Sequence, residues 1–277
     1  MKKVFPHTPF QKLSIWEKEI MKKEESRFAE ANLFEGMTSL RAVIHAMENG
    51  ISDRRILRVI VDQAKRKSRA KDLAWLGYKA KEFGFEIVYE REEYIESVTV
   101  GSSHGGIIFE CTARTIPSLE ETDTTDGGFW VMIEGIEDPY NFGYALRSLY
   151  SCGVDGVILS PRNWMSAAGV VCRSSAGASE MLPLLVSESG NPAEIFKSRG
   201  YRVACAGIRD SVSSFDADLK KPLLLVVGGE KRGISRTLLD AADMIVRIDY
   251  GREFGGSLSA ASAASILGYE VMRQNRG

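Results

Sequence analysis

Phe129-Trp130-Val131-Met132-Ile133-Glu134-Gly135-Ile136-Glu137-Asp138-Pro139-Tyr140-Asn141-Phe142-Gly143-Tyr144-Ala145-Leu146-Arg147-Ser148 is the stretch on which the fold turns. The apolar run 129–133 reads as a strand buried on both faces. Asp138-Pro139 punctuates its exit, and Asn141 stands where a helix N-cap is expected. Phe142, Ala145, Leu146 and Leu149 then recur at i, i+3, i+4 and i+7, which defines the buried face of a helix over 142–152. Tyr144, Arg147 and Ser151 fall on a different face of that helix. An arginine one to two turns inside a helix that starts at a strand edge is placed to meet a phosphate or ribose. An ordinary surface arginine fits this segment equally well.

The same alternation continues downstream. Strands are expected at 156–159, 181–186, 201–206, 223–227 and 244–248, with helices at 192–199, 235–242 and 258–274. Short apolar strands alternating with helices imply a mostly parallel α/β sheet covered on both sides. In such sheets ligands bind beyond the carboxyl ends of the strands. Upstream, 34–112 reads as helix 39–48 ended by Asn49-Gly50, strand 56–61, helix 72–83, strand 85–89, short helix 92–97 and strand 106–109. Leu13, Trp16 and Ile20 give 1–33 the spacing of a helical lead-in. Thr115, Pro117, Ser118, Thr122 and the run from Asp123 to Gly128 make 113–128 a polar linker. The expected organisation is therefore an extension 1–33, a small α/β domain 34–112, the linker 113–128 and a larger α/β domain 129–277.

The chain has 277 residues, 44% hydrophobic and 26% charged, with a net charge of −1, so a soluble globular protein is expected rather than a disordered one. Apolar runs such as 222–227 are far shorter than a membrane span, and charge laces 16–23, so a cytoplasmic location is expected. The four cysteines Cys111, Cys152, Cys172 and Cys205 include no Cys-x-x-Cys pair, and the histidines lie apart from them, so no metal site is expected. A near-zero charge does not by itself point to nucleic acid. Locally, however, Lys65, Arg66, Lys67, Arg69 and Lys71 form a dense basic segment, with Arg54, Arg55 and Arg58 just upstream. Phosphate contact and a solvated helix face both account for it.

Two further segments follow expected strands. Gly228-Gly229-Glu230-Lys231-Arg232-Gly233 lets the backbone pass close to a ligand, but it is neither a Walker loop nor a dinucleotide fingerprint. That disfavours a nucleotide-dependent oxidoreductase. Asp249-Tyr250-Gly251-Arg252-Glu253-Phe254-Gly255-Gly256-Ser257-Leu258-Ser259 leads into a helix of alanines and serines. Close helix packing and a site for a flat base are both compatible with it.

In order and spacing these three segments resemble motifs one, two and three of the SpoU (TrmH-type) family of RNA 2'-O-ribose methyltransferases, within the SPOUT superfamily. The resemblance runs from Val131 to Met272 and includes Arg173-Ser174-Ser175-Ala176-Gly177-Ala178, which looks like the family's Arg-x-Ser-x-Gly-Ala segment. It implies a trefoil-knotted methyltransferase domain preceded by an L30e-like RNA-binding domain, S-adenosylmethionine as methyl donor, and a ribose 2'-hydroxyl of rRNA or tRNA as acceptor. By resemblance, Arg147, Asn141, Glu230 and Ser257 are the catalytic set. Val227, Gly228, Gly229, Gly233, Ile248, Tyr250, Leu258 and Ser259 would bind the donor. Lys65, Arg66, Lys67, Arg69 and Arg173 would contact RNA, and a homodimer would form through the knotted domain. Three positions depart from the pattern. Gly229 stands where Asn is usual, Ile248-Asp249-Tyr250 replaces Ile-Pro-Met, and Ser257-Leu258-Ser259 replaces Ser-Leu-Asn. A catalytically silent RNA-binding protein with weakened donor binding is the alternative these departures raise.

Overall fold

The computed structural model describes residues 32–99, 104–136, 138–160, 167–189 and 191–276. The lead-in helix expected over 1–33 lies outside them except for its last two residues, which begin a strand. In chain order the first part comprises β1 (Asn32–Glu35), α1 (Gly36–Glu48), β2 (Ile56–Asp62), α2 (Ala70–Phe83), β3 (Glu86–Glu90), α3 (Glu92–Val98) and β4 (Ile107–Cys111). The second part comprises β5 (Phe129–Glu134), α4 (Pro139–Ser151), β6 (Gly156–Leu159), α5 (Ala168–Ser174), α6 (Ala178–Met181) and β7 (Leu184–Val186). It continues with α7 (Ala193–Ser198), β8 (Arg202–Ala206), β9 (Val212–Ser213), β10 (Leu223–Gly228), α8 (Arg236–Ala241), β11 (Met244–Arg247) and α9 (Ala260–Gln274).

The second part builds a seven-stranded sheet of order β7-β6-β5-β10-β8-β11-β9. Every pairing in it is parallel. Residue alternation assigns its two faces. Phe129, Val131, Leu223 and Leu225 join Leu146 and Leu149 of α4 and Leu267 and Val271 of α9 in one core. Trp130, Met132, Leu224 and Val226 turn the other way, toward Phe196 of α7 and Leu238 of α8. A fully buried side chain of this kind stabilises by roughly 1.5–3 kcal/mol, so both layers are firmly held.

The first part is a four-stranded mixed sheet of order β1-β4-β2-β3. Its main core includes Phe34, Val43, Val59 and Phe109, and it also takes in Ala168 and Cys172 of α5. Both sheets belong to one compact unit, Asn32–Gly277. The segment 113–128 carries no helix or strand, yet it is tied down along its length. Arg114 donates to the carbonyls of Ile51, Ser179 and Leu182, and Leu119 is fully buried. The carbonyl of Thr124 accepts the Tyr201 hydroxyl at 2.6 Å.

Several elements differ from the expectations. The strand expected at 181–186 is shorter, because 178–181 is helical and Pro183 interrupts before β7. Helices α5 and α6 lie in a Ser/Gly-rich stretch with too little periodicity to announce them. Strand β9 has only two residues, too few for a pattern.

Candidate functional site

The loops leaving β5, β8, β10 and β11 share the carboxyl edge of the parallel sheet, because all their pairings are parallel. Together with the 254–263 segment, the loops after β8, β10 and β11 enclose a cleft of about 760 Å³. Of the expected donor-binding residues, Val227, Gly228, Gly229, Gly233, Ile248, Tyr250 and Leu258 line it, as do Glu230 and Ser257.

Main-chain proximity explains the glycines at the end of β10. A Cβ at Gly229 would sit 2.1 Å from the Gly135 carbonyl oxygen, and one at Gly228 would lie 2.6 Å from the Gly233 carbonyl carbon. Neither backbone neighbour can swing aside as a side-chain tip would. Gly229 is therefore dictated by this chain's own packing. Two carboxylates then tie the three motifs together. The Glu134 carbonyl accepts the Gly229 amide at 2.6 Å, and its carboxylate accepts the Ser235 amide at 2.7 Å. Glu230 Oε1 accepts the Ala260 amide at 3.3 Å, placing negative charge at the amino end of α9. In the sequence Glu134 stands out only as the start of the Glu-Gly-Ile turn that ends the strand, without a site role.

Other expected residues lie elsewhere. Ser259 is not among the lining residues; its side chain caps α9 by accepting the Ser262 amide at 3.2 Å. Asn141 is not the cap of α4. Asp138 is, accepting the Tyr140 amide at 2.9 Å with Pro139 in the first turn, and Asn141 falls inside the helix. Asn141 and Arg147 do not line the cleft, and Arg147 is exposed on α4. The intervening Gly143 is explained by α5, since a Cβ there would meet Ser174 Oγ at 1.9 Å and the Val171 carbonyl at 2.9 Å. Phe142, Ala145, Leu146 and Leu149 are all buried.

The expected RNA-contacting cations separate into two groups. Arg173 pairs with Glu35. Lys65 pairs with Glu92 at 3.3 Å, and Arg69 donates to the Gly105 carbonyl at 2.8 Å and pairs with Asp72 at 3.0 Å. Arg66 is exposed over the Tyr89 ring and Lys67 is exposed. Lys65, Arg66, Lys67 and Arg69 occupy a 3-10 turn and loop between β2 and α2, not a helix face, whereas Arg173 is in the last turn of α5. His104 is buried, its Nδ1 accepting the Gly106 amide at 3.0 Å, which is a turn-supporting role.

The acidic departure at Asp249 is neutralised where it stands. Its carboxylate accepts from Ser213 Oγ and from Arg247 Nε, the latter at 2.8 Å. The Ser213 hydrogen bond and then the Arg247 guanidinium hold it below the usual aspartate range. Burial pushes the Cys111 and Cys205 thiols up to about 12, which makes them unreactive near neutral pH. Among the described residues no cluster of three or more His, Cys, Asp or Glu could hold a metal ion, and no helix is long and apolar enough to cross a membrane.

Comparison with known proteins places this geometry. The chain is 30% identical over 241 residues to the 23S rRNA (guanosine-2'-O-)-methyltransferase RlmB of Shewanella oneidensis, covering 84% of this chain and 96% of that protein. It is 26% identical to the putative TrmH family tRNA/rRNA methyltransferase YacO of Bacillus subtilis, covering 84% of this chain and 93% of that one. Its fold matches the SpoU methyltransferase AviRb from Streptomyces viridochromogenes, solved with the cofactor AdoMet, with a TM-score of 0.72. That match covers 91% of this chain and 93% of the other at 20% identity. A crystal structure of an RNA 2'-O ribose methyltransferase gives a TM-score of 0.71 at 21% identity, covering 91% and 92% of the two chains. The model of the SpoU rRNA Methylase family matches residues 128–269, and by that match and the relatives above the chain belongs to the SpoU rRNA Methylase family.

Proposed function

We propose that the protein is an RNA methyltransferase that transfers the methyl group of S-adenosylmethionine to a ribose 2'-hydroxyl of rRNA or tRNA. The observation that carries this reading is the cleft built from the loops after β8, β10 and β11, within a chain of the SpoU family. The fit of the donor rests on the cradle at Gly228 and Gly229, where side chains are excluded by main chain and a ligand can approach the backbone. Support for the rRNA class comes from the RlmB relative; the TrmH relatives keep tRNA open.

S-adenosylmethionine, when bound, supplies an already activated sulfonium methyl group. The tasks left to the protein are positioning and removal of the 2'-hydroxyl proton. Val227, Gly228, Gly229, Gly233, Ile248, Tyr250 and Leu258 form the donor cleft, and Glu230 fixes the start of α9 beside it. Ser257 lines the same cleft and positions the acceptor side. Arg147 and Asn141 face the RNA nucleotide. A guanidinium with a pKa above about 12 is a poor base, so Arg147 acts by hydrogen bonding and by polarising the attacking hydroxyl through a phosphate. Lys67 and Arg66, exposed beyond β2, contact the RNA backbone, whereas Lys65, Arg69 and Arg173 hold protein carboxylates first.

The finer architecture belongs to the same proposal. The strands from β5 onward form the trefoil-knotted domain, and 34–112 is an L30e-like RNA-binding module. The protein works as a homodimer through its knotted domain. The packed helices α4 and α9 leave Tyr144 and Tyr150 on one and Ile266 and Tyr269 on the other exposed, apolar surface that a second copy would cover. The departures at Gly229, Asp249 and Ser259 each have a local structural explanation, which favours an active enzyme over a silent RNA-binding protein.

The test is Arg147→Ala in a single-turnover assay with saturating donor. Transfer is expected to fall by a factor on the order of 100–10,000, with donor affinity and the unfolding midpoint unchanged. Near-normal turnover would remove Arg147 from the mechanism, and absence of donor binding in the unaltered protein would favour the silent alternative.

A further inference from the structure

We propose that Tyr250 and Phe254 form an aromatic clip that fixes the 251–258 loop as one wall of the donor cleft, making Tyr250 a positioning residue for the methyl donor. The inference rests on the donor reading of the cleft given above.

The loop contains Gly251, Gly255 and Gly256 and forms no helix or strand. Ordering its residues costs backbone entropy, and glycine loses the most, so the loop needs external ties to keep one shape. Three ties converge on the two rings. The Leu258 amide donates to the Tyr250 hydroxyl at 3.2 Å, closing the loop across eight residues. The Tyr250 and Phe254 rings lie 6.0 Å apart at 52°, within the range of favourable aromatic pairs. The Phe254 ring covers Gly256, where a Cβ would stand 2.6 Å from Cζ.

Both ends of this clip are anchored. On one side Asp249 is held by Ser213 and Arg247. On the other, Leu258 precedes Ser259, the cap of α9, whose first amide is bonded to Glu230. Tyr250, Phe254, Gly256, Ser257 and Leu258 all line the cleft. Core stability does not explain the rings, because Tyr250 is 40% and Phe254 63% exposed. What they hold in place is the wall. Tyr250 therefore acts on the donor through the loop, by setting where the Leu258 backbone stands.

The test is calorimetric titration of the full chain with S-adenosylmethionine, joined to steady-state kinetics. Tyr250→Phe keeps the ring and removes the acceptor for the Leu258 amide. Donor Kd and donor KM are expected to rise about two- to tenfold. The kcat at saturating donor and the KM for RNA should stay constant, as should the urea midpoint. Phe254→Ala should weaken donor binding by a similar factor, and Phe254→Tyr should restore it. Unchanged donor affinity in Tyr250→Phe, or a loss of kcat at constant donor KM, overturns the clip. If the unaltered protein does not bind S-adenosylmethionine, the donor reading fails and the inference falls with it. If it binds and all the variants bind equally, only the clip fails.

Discussion

Between the two sheets, side chains do the joining. Arg54, buried at the end of the loop before β2, meets Glu180 of α6 through Nε at 2.8 Å and Nη2 at 3.2 Å, and its Nη1 donates to the Thr112 carbonyl. Arg173 reaches Glu35, and Arg114 spans Ile51, Ser179 and Leu182. In the cleft the main chain does most of the work. Glycines bring backbones within contact distance, Glu230 and, at the end of β5, Glu134 accept backbone amides, and among the described residues the one cleft-lining carboxylate paired with a cation is Asp249, held by Arg247. The seam is specified by charge and shape, so an unmatched partner there is costly. The cleft presents amides and carbonyls whose positions depend on which residues are small. On the proposed reading a donor in this cleft would meet mostly backbone, so the activity should be more sensitive to added atoms than to altered charge.

The largest effect is expected from breaking the seam. Glu180→Gln leaves the Arg54 guanidinium buried without its counter-charge, at a cost of about 3–5 kcal/mol measured by urea unfolding. Donor affinity of the folded fraction should remain within about twofold of the starting value, since Glu180 does not line the cleft. A marked loss of donor binding would show that the seam shapes the cleft and would erase the contrast. Gly229→Ala sharpens it from the other side. One methyl group pressed on the Gly135 carbonyl should cost roughly 1–3 kcal/mol in stability. It should also weaken donor binding about tenfold or more, since the loop has to move. Ser259 gives the smallest effect. Ser259→Ala removes the α9 cap at a cost of about 1 kcal/mol, while Ser259→Asn should be nearly neutral because Asn caps equally well. A large gain in donor affinity in Ser259→Asn would mean that the side chain at this position reaches the ligand.

Much of the larger sheet was legible because its strands are continuous apolar runs and α4 and α9 carry clear helical spacing. The cleft loops were legible as glycine clusters after strands, although their spacing alone did not name a ligand; the ordered motifs did that. The seam was not legible. Arg54 reads as one member of a basic cluster, and its partner Glu180 lies 126 residues away in a short helix without periodicity. The expected RNA contacts at Lys65, Arg69 and Arg173 illustrate the same limit, because a run of cations does not reveal which carboxylates the fold will bring to them. At the start of α4 the spacing points to Asn141 as cap, but Asp138 is an equally good capping residue, and Pro139 after it decides between them.

The measurement closest to the central claim is methyl transfer itself. The full chain would be incubated with isotopically labelled S-adenosylmethionine and unmodified ribosomal or transfer RNA, and the RNA digested for mass spectrometry of its nucleosides. The account expects the label on a ribose 2'-oxygen, lost with Arg147→Ala. Label on a base, or no label from protein that binds the donor, would contradict it.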